Sequence, residues 1–344
     1  MSELAVYSAP SRNRDFWFPD GDIVLSCPQP HGRRCLFRVH KFMLTQHSLP
    51  FAEMIKKEAL LSVLETLDGL PVVLLPEPAS EIHKLLCCLY NALNGGAFND
   101  EERPITRYDW LLRICSKYKI LPLHKRIVAQ LKAEWPATLP AWDAREAHIA
   151  ALLQQHIAAG PPGRVHDMYL DDRLAEPVLT IHTARALSLP QLLPAAFYDL
   201  ARRDPRADWD ALHTDAAARA LPANERLLVG GVRSARWGAL CAHDLLVLAA
   251  LKETLATLVR EGWEMMRRAQ IPHAVCDAAR KDVLERSKEL AVVSRDPLYA
   301  AQWACQYTTK AGMCKSCETN LVRWLATFRV SCWLTLLQKF QHRN

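Results

Sequence analysis

Strand-like and helix-like patterns alternate over roughly the first third of the chain, and helical periodicity dominates after that. Pro19, Asp20 and Gly21 mark a turn, and residues 22–27 (DIVLSC) form a short apolar run rich in strand formers. After a Pro/Gly-rich connector, CLFRVH alternates: Phe37 and Val39 face one side, Arg38 and His40 the other. The two runs predict a hairpin. KFMLTQHSLPFAEMIKKE keeps helical spacing on both sides of Ser48-Leu49-Pro50, which predicts two short helices, because proline ends one and can start the next. LPVVLLP, bounded by Pro71 and Pro76, reads as a third strand. In the helix expected next, Ile82, Leu85, Leu86, Leu89 and Leu93 share a face and Ser80 is the candidate N-cap. Two further helices are expected at 106–118 and 123–135.

Order and residues together resemble the BTB/POZ domain. The likeness rests on Asp22-Ile23-Val24 in the first strand, on Phe37-Arg38-Val39-His40-Lys41 running from strand into helix, on Ser48-x-x-Phe51-x-x-Met54, and on Val73-x-Leu75-Pro76 before a Leu-rich helix. It covers about residues 16–132. The whole chain also resembles a group of BTB-domain proteins of mushroom-forming fungi, in which an all-helical tail ends in cysteine pairs. That resemblance implies helices here at 141–159, 173–188, 193–201 and 224–261, with turns at 160–163 and 204–208. In the long one, Cys241, Leu245, Leu248, Leu255 and Val259 keep helical spacing, and Gly230-Gly231 reads as a helix kink or a break. The expected fold class is therefore α+β: a disordered tail (1–15), a BTB/POZ-like domain with a small sheet and helices (16–135), a helical region (136–262) and a helical C-terminal region (263–344). No internal repeat is apparent.

Charge refines this picture. Residues 1–259 hold 29 basic and 29 acidic side chains, whereas 260–344 hold 14 and 8, so the whole formal excess of +6 lies in the last quarter. No helix-turn-helix, RNA-binding-strand or basic-zipper pattern accompanies it, and solvated helix faces are the commoner use of such charge. The eleven cysteines are odd in number and scattered, and the start lacks a basic segment followed by an apolar one. These features argue against a secreted disulfide scaffold. Apolar runs such as 245–251 fall far short of the ~20 residues that cross a bilayer. The expectation is an intracellular protein, cytoplasmic or nuclear, without membrane attachment.

Among chemical constellations the sharpest is Cys314-Lys315-Ser316-Cys317 with His273-Ala274-Val275-Cys276 upstream. Two ligand pairs, each with a two-residue spacer, supply the four nitrogen and sulfur donors that tetrahedral zinc prefers. Three thiolates and an imidazole carry net charge −1, which nearby Lys315 and Arg280 would offset. In the fungal group the first pair is commonly two cysteines; here His273 stands near one of them. With four protein ligands such a zinc is structural. A thioredoxin-like role for CxxC needs a strand leading into a helix, and Cys314 lies between helical stretches. No GxSxG elbow, GxGxxG loop or P-loop occurs, and Asp171-Asp172 and Glu101-Glu102 lack partners for a carboxylate dyad. His31, His47, His83 and His124 stand alone, and Trp237, Trp263, Trp303, Trp324 and Trp333 are expected to fill the helical core. No enzyme and no small-molecule substrate are expected.

The BTB resemblance implies protein–protein interaction through oligomerisation or partner recruitment, with this chain itself or other BTB proteins as partners. Candidate partner-binding residues are Asp22, His40, Lys41, Phe51 and Met54, with Asp22 and Lys41 forming a charged pocket. Two alternatives stand beside it. One is a cullin-type ubiquitin-ligase adaptor, although the loop after Met54 lacks a hydrophobic-x-Glu pattern and no kelch-type repeat is present. The other is a nucleic-acid-binding regulator using a basic, zinc-stabilised C-terminal region.

Overall fold

A computed structural model describes residues 9–60, 66–90, 109–160, 163–214, 216–271 and 273–341. The expected hairpin is present: β2 (Ile23–Pro28) pairs antiparallel with β3 (Arg34–Val39) in the register Ile23↔Val39, Leu25↔Phe37, Cys27↔Cys35. These six side chains lie on one face of the pleat and are all buried, because strict alternation sends every second residue to the same side. β1 (Ser11–Trp17) pairs parallel with β3, β5 (Leu70–Leu74) pairs parallel with β2, and β4 (Thr66–Leu67) pairs antiparallel with β5. The sheet order is β1-β3-β2-β5-β4. The opposite face is not polar: Val24, Leu36 and Val72 are covered by Trp17, Leu67 and Leu70.

β1 corrects the disordered tail expected over 1–15 at residues 11–15; residues 1–8 of that tail lie outside the described residues. Its pattern is mostly polar and exposed, so periodicity gave no signal, and its order comes from β3's open edge. At the turn that follows, a Cβ on Gly21 would meet Arg38 Cγ at 2.9 Å, and Arg38 Nε donates to Gly21 O at 2.9 Å. Glycine lets the two backbones approach.

The Ser48 break yields α1 (Lys41–His47) and α2 (Leu49–Leu60). Buried Ser48 caps α2, its Oγ accepting from Phe51 N–H at 3.1 Å and donating to Tyr118 O. Phe51 is 1% exposed and stacks on Tyr118 with ring centroids 4.2 Å apart. Helix α3 (Ala79–Tyr90) packs on β2 and buries Ile82, Leu85, Leu86 and Leu89, as the spacing predicts. Its cap is not Ser80, which lies inside the first turn; Pro78 O accepts from Glu81 and Ile82. Leu93 and residues 106–108 of the next expected helix lie outside the described residues. α4 (Asp109–Lys117) and α5 (Leu121–Glu134) complete the sequence of elements here, and within α5 the chain passes from a first unit ending at Gln130 to a second beginning at Leu131.

The second unit is helical: α6 (Leu139–Ala158), α7 (Leu170–Arg173), α8 (Pro177–Ala186), α9 (Leu193–Arg202), α10 (Trp209–His213), α11 (Ala216–Arg219), α12 (Pro222–Val229), α13 (Ala242–Arg268), α14 (Ala274–Ser294), α15 (Pro297–Thr308) and α16 (Lys315–Gln341). Side-chain caps start several of them. Thr138, Glu176, Asp208 and Asp296 each accept from the backbone N–H three residues on. Two expected helices are each broken. The one at 173–188 divides because Glu176 and Pro177 restart it, and the one at 224–261 stops at Gly230-Gly231, with Cys241 capping a new helix rather than lying inside one. The boundary expected at 262/263 falls within continuous α13. Trp263 and Trp333 are buried as expected, while Trp237, Trp303 and Trp324 are half-buried.

An ionic cluster ties this unit together. Fully buried Asp199 on α9 accepts from Arg202 Nη2 at 2.6 Å, from Arg203 at 2.6 and 3.0 Å, and from Arg233. Glu146 on α6 binds Arg202 at 2.9 and 3.0 Å and Arg145 at 2.8 Å. Asp296 binds Arg202 and accepts from Tyr198 Oη at 2.6 Å. Burial works to raise the Glu146 carboxyl, but the charges of Arg202, Arg233 and Arg145 hold it down to about 2.

A carboxyl lowered from 4.5 to about 2 stabilises the fold above its unfolded-state pKa, and that contribution is lost as pH falls from about 4.5 through 2. With its side chain 26% exposed, on the order of 2 kcal/mol is involved. In urea melts, Glu146→Gln is expected to cost stability at pH 7 and to converge on the parent near pH 2; a pH-independent gap would contradict this account. A second expectation concerns Gly262, where a Cβ would meet Phe328 Cε2 at 2.5 Å. Gly262→Ala should lower the melting temperature, with overpacking of about 1–3 kcal/mol outweighing roughly 1 kcal/mol of helix propensity.

Candidate metal centre

His273 is the N-cap of α14 and Cys276 lies in its first turn; Cys314 directly precedes α16 and Cys317 lies in its first turn. The two-residue spacer therefore has a helical reason. A residue at the cap and one three positions on fold toward the same side of a helix start, as in a capping box. The helices α14, α15 and α16 pack in succession with a reversal at each turn, so α14 and α16 begin at the same end. That brings the two pairs together.

Cys314 Sγ lies 3.4 Å and Cys317 Sγ 3.6 Å from His273 Nδ1, and the Cys314 N–H donates to Cys276 Sγ at 3.3 Å. All four donor atoms lie within 4.8 Å of one another. A tetrahedral metal with bonds of about 2.0–2.3 Å places neighbouring donors about 3.3–3.8 Å apart, so this donor set can hold a metal such as zinc. Cys276 and Cys317 are buried, His273 and Cys314 exposed. The Cys276 and Cys317 side of the site is enclosed, and solvent reaches the His273 and Cys314 side.

The start of α16 lies at the Cys314 sulfur and favours its anionic form. The Cys317 backbone N–H, directed at Cys314 sulfur, is the largest influence lowering that thiol, to about 7; neighbouring Cys276 and His273 add to it. Burial and the adjoining sulfurs push Cys317 up to about 11. One thiolate thus forms readily, and a cation is needed to hold the others ionised together. Lys315 and Arg280, expected to offset the charge, are otherwise engaged. Lys315 pairs with Glu318 at 2.9 Å, while Arg280, 1% exposed, donates to Met266 O at 2.7 Å and to Ala269 O and pairs with Asp277. Arg280 clamps the C-terminal end of α13 to the start of α14 and so holds the turn that carries His273.

The partner-binding candidates fare differently. Phe51 is corrected: its ring is enclosed against Tyr118 and has no surface to offer. Asp22 and Lys41 do meet, but Asp22 Oδ1 accepts from the Lys41 backbone N–H at 2.7 Å, which caps α1 rather than building a charged pocket. His40 bonds Tyr90 Oη through Nδ1 at 2.9 Å and lies 3.3 Å from Asp20 through Nε2. Met54 is half-buried on α2. His83, expected to stand alone, binds Asp15 at 2.9 Å and approaches Cys87 Sγ at 3.8 Å. Asp171 and Asp172 have partners of another kind than a dyad requires. Asp171 accepts from Ser234 N–H at 3.0 Å, and Asp172 from Tyr169 N–H at 3.0 Å and Arg219 at 2.9 Å. The ring of arginines about Asp199 escaped sequence reasoning; its one local trace is the i,i+3 and i,i+4 spacing of Asp199 with Arg202 and Arg203.

No family model, no curated protein and no solved structure matches this chain. Among the described residues, no helix is long and apolar enough to cross a membrane.

If Arg280 positions the His273 pair, Arg280→Met should weaken metal binding about 10- to 100-fold, the range typical of lost outer-shell support. Competition against a chromogenic chelator measures it. Unchanged affinity would show that the α13–α14 turn holds its shape unaided.

Proposed function

We propose that this chain is a non-catalytic protein-interaction protein that binds through its N-terminal α+β unit, with its helical unit clasped by a structural zinc. The observation that carries the binding reading is the α1–α2 segment. Phe42 is 67% exposed and Leu49 62% exposed, on ordered helices beside half-buried His40, Lys41 and Met54. Aromatic and aliphatic anchors of this kind, set among polar neighbours, are the usual centre of a protein interface. The BTB resemblance of the same segment supports a partner that is a second copy of this chain or another BTB-like protein.

The zinc reading rests on the donor chemistry. Three thiolates and one imidazole, with donor atoms all within 4.8 Å of one another, are soft, nitrogen- and sulfur-rich ligands that favour zinc over hard cations. Four protein donors leave no open position for substrate, so the metal would join the starts of α14 and α16 and do no chemistry.

Two measurements test these readings. Metal analysis of protein purified without added chelator should find one zinc per chain, and its removal should lower the melting temperature; a metal-free protein with the same melting temperature would end the structural-zinc reading. Gentle crosslinking in the native host followed by mass spectrometry should recover this chain or BTB-like partners, and Phe42→Glu with Leu49→Glu should abolish that recovery without changing thermal unfolding. Recovery unaffected by both substitutions would place the interface elsewhere.

A further inference from the structure

We infer that Cys314 and Cys317 are an oxidisable pair, so that peroxide converts them to a disulfide and expels the zinc. This inference rests on the zinc reading and adds to it a regulation of the same site.

The geometry selects these thiols. Of the eleven cysteines, Cys241 and Cys314 are exposed, and the other nine are buried or half-buried. Exposed Cys241 directs its S–H at Asp244 Oδ2, 3.1 Å away, and is not part of the cluster. Cys314 instead directly precedes α16 and has two further thiols within 4.8 Å. An oxidant reaching the surface therefore meets one accessible sulfur with a resolving partner beside it. The pair is joined by a two-residue spacer across a helix start, and closing it requires no movement of α14.

The chemistry balances with hydrogen peroxide as the oxidant. The Cys314 thiolate attacks one peroxide oxygen, the O–O bond breaks, and the departing hydroxide takes a proton from solvent to leave as water. Cys317 then attacks the sulfenic sulfur; the S–S bond forms, the S–O bond breaks, and the second hydroxide leaves as water in the same way. Two electrons pass from the thiolates to peroxide and zinc stays divalent. Left with His273 and Cys276 as ligands, it dissociates, and the link between the α13–α14 and α15–α16 turns is lost.

The test uses the full-length zinc protein prepared anaerobically. On titration with peroxide, a chromogenic chelator should report release of one zinc per chain. After trypsin digestion, peptides 311–315 and 316–323 should be found joined by a disulfide. Reductant with added zinc should restore the original melting temperature, and Cys241→Ser should behave as the parent. Zinc that stays bound while Cys241 is oxidised would overturn the redox inference and leave the zinc reading intact, as would release accompanied by sulfinic acid at Cys314 without the linked peptides. A protein that contains no zinc and takes none up removes both.

Discussion

A fully buried aspartate needs its charge answered, and in the helical unit that demand organises much of what surrounds it. Asp199 is hydrogen-bonded to Arg202, Arg203 and Arg233 and lies 3.6 Å from Arg145. The same arginines reach outward to Glu146 on α6, Asp296 at the start of α15, and the carbonyls of Ala175 and Ser234. Trp142 lies against the guanidiniums of Arg145 and Arg202, at 5.1 and 4.7 Å. Taking so many charges from water costs much of what their attraction returns, so the cluster contributes chiefly by making other arrangements of these helices expensive. Removing one member would leave its partners charged and dry.

Asp296 carries this order toward the metal centre. It joins the arginine cluster through Arg202 and also caps α15, which packs against both α14 and α16. The unit thus uses one device several times: an acceptor placed just before a helix, aimed at the first free N–H groups. Oxygen serves at Thr138, Glu176, Asp208 and Asp296. At Cys314 a sulfur stands in that place, as one of the four donors of the candidate metal centre.

Much of this was legible from local pattern. Alternation in CLFRVH and the run DIVLSC specify a hairpin, and Phe37 and Val39 share one buried face of it as the two-residue period predicts. Ser48 and Pro50 specify a helix break by local chemistry. The spacers of His273-x-x-Cys276 and Cys314-x-x-Cys317 single out the four residues whose donor atoms the fold gathers within 4.8 Å, since donor type and spacing are written in the chain. Other elements were hidden. β1 has no periodicity of its own, and the helix expected at 224–261 ends before Gly230-Gly231 and resumes only after Cys241. Phe51, read as a surface contact, is held inside by Tyr118, a residue 67 positions away in the chain.

What the sequence determined by itself is therefore what depends on neighbours a few residues apart: which stretches become strands or helices, where proline and capping side chains begin them, and which side chains have the chemistry to bind a metal. Tertiary structure decided the rest. Only the reversals at both ends of α15 bring His273 within 3.4 Å of Cys314, and only the fold collects Glu146, Asp199, Arg233 and Asp296 about one point. Hydrogen bonding and steric preference act along the chain and leave a local signature, whereas burial and charge compensation act through space and leave none until the helices have packed.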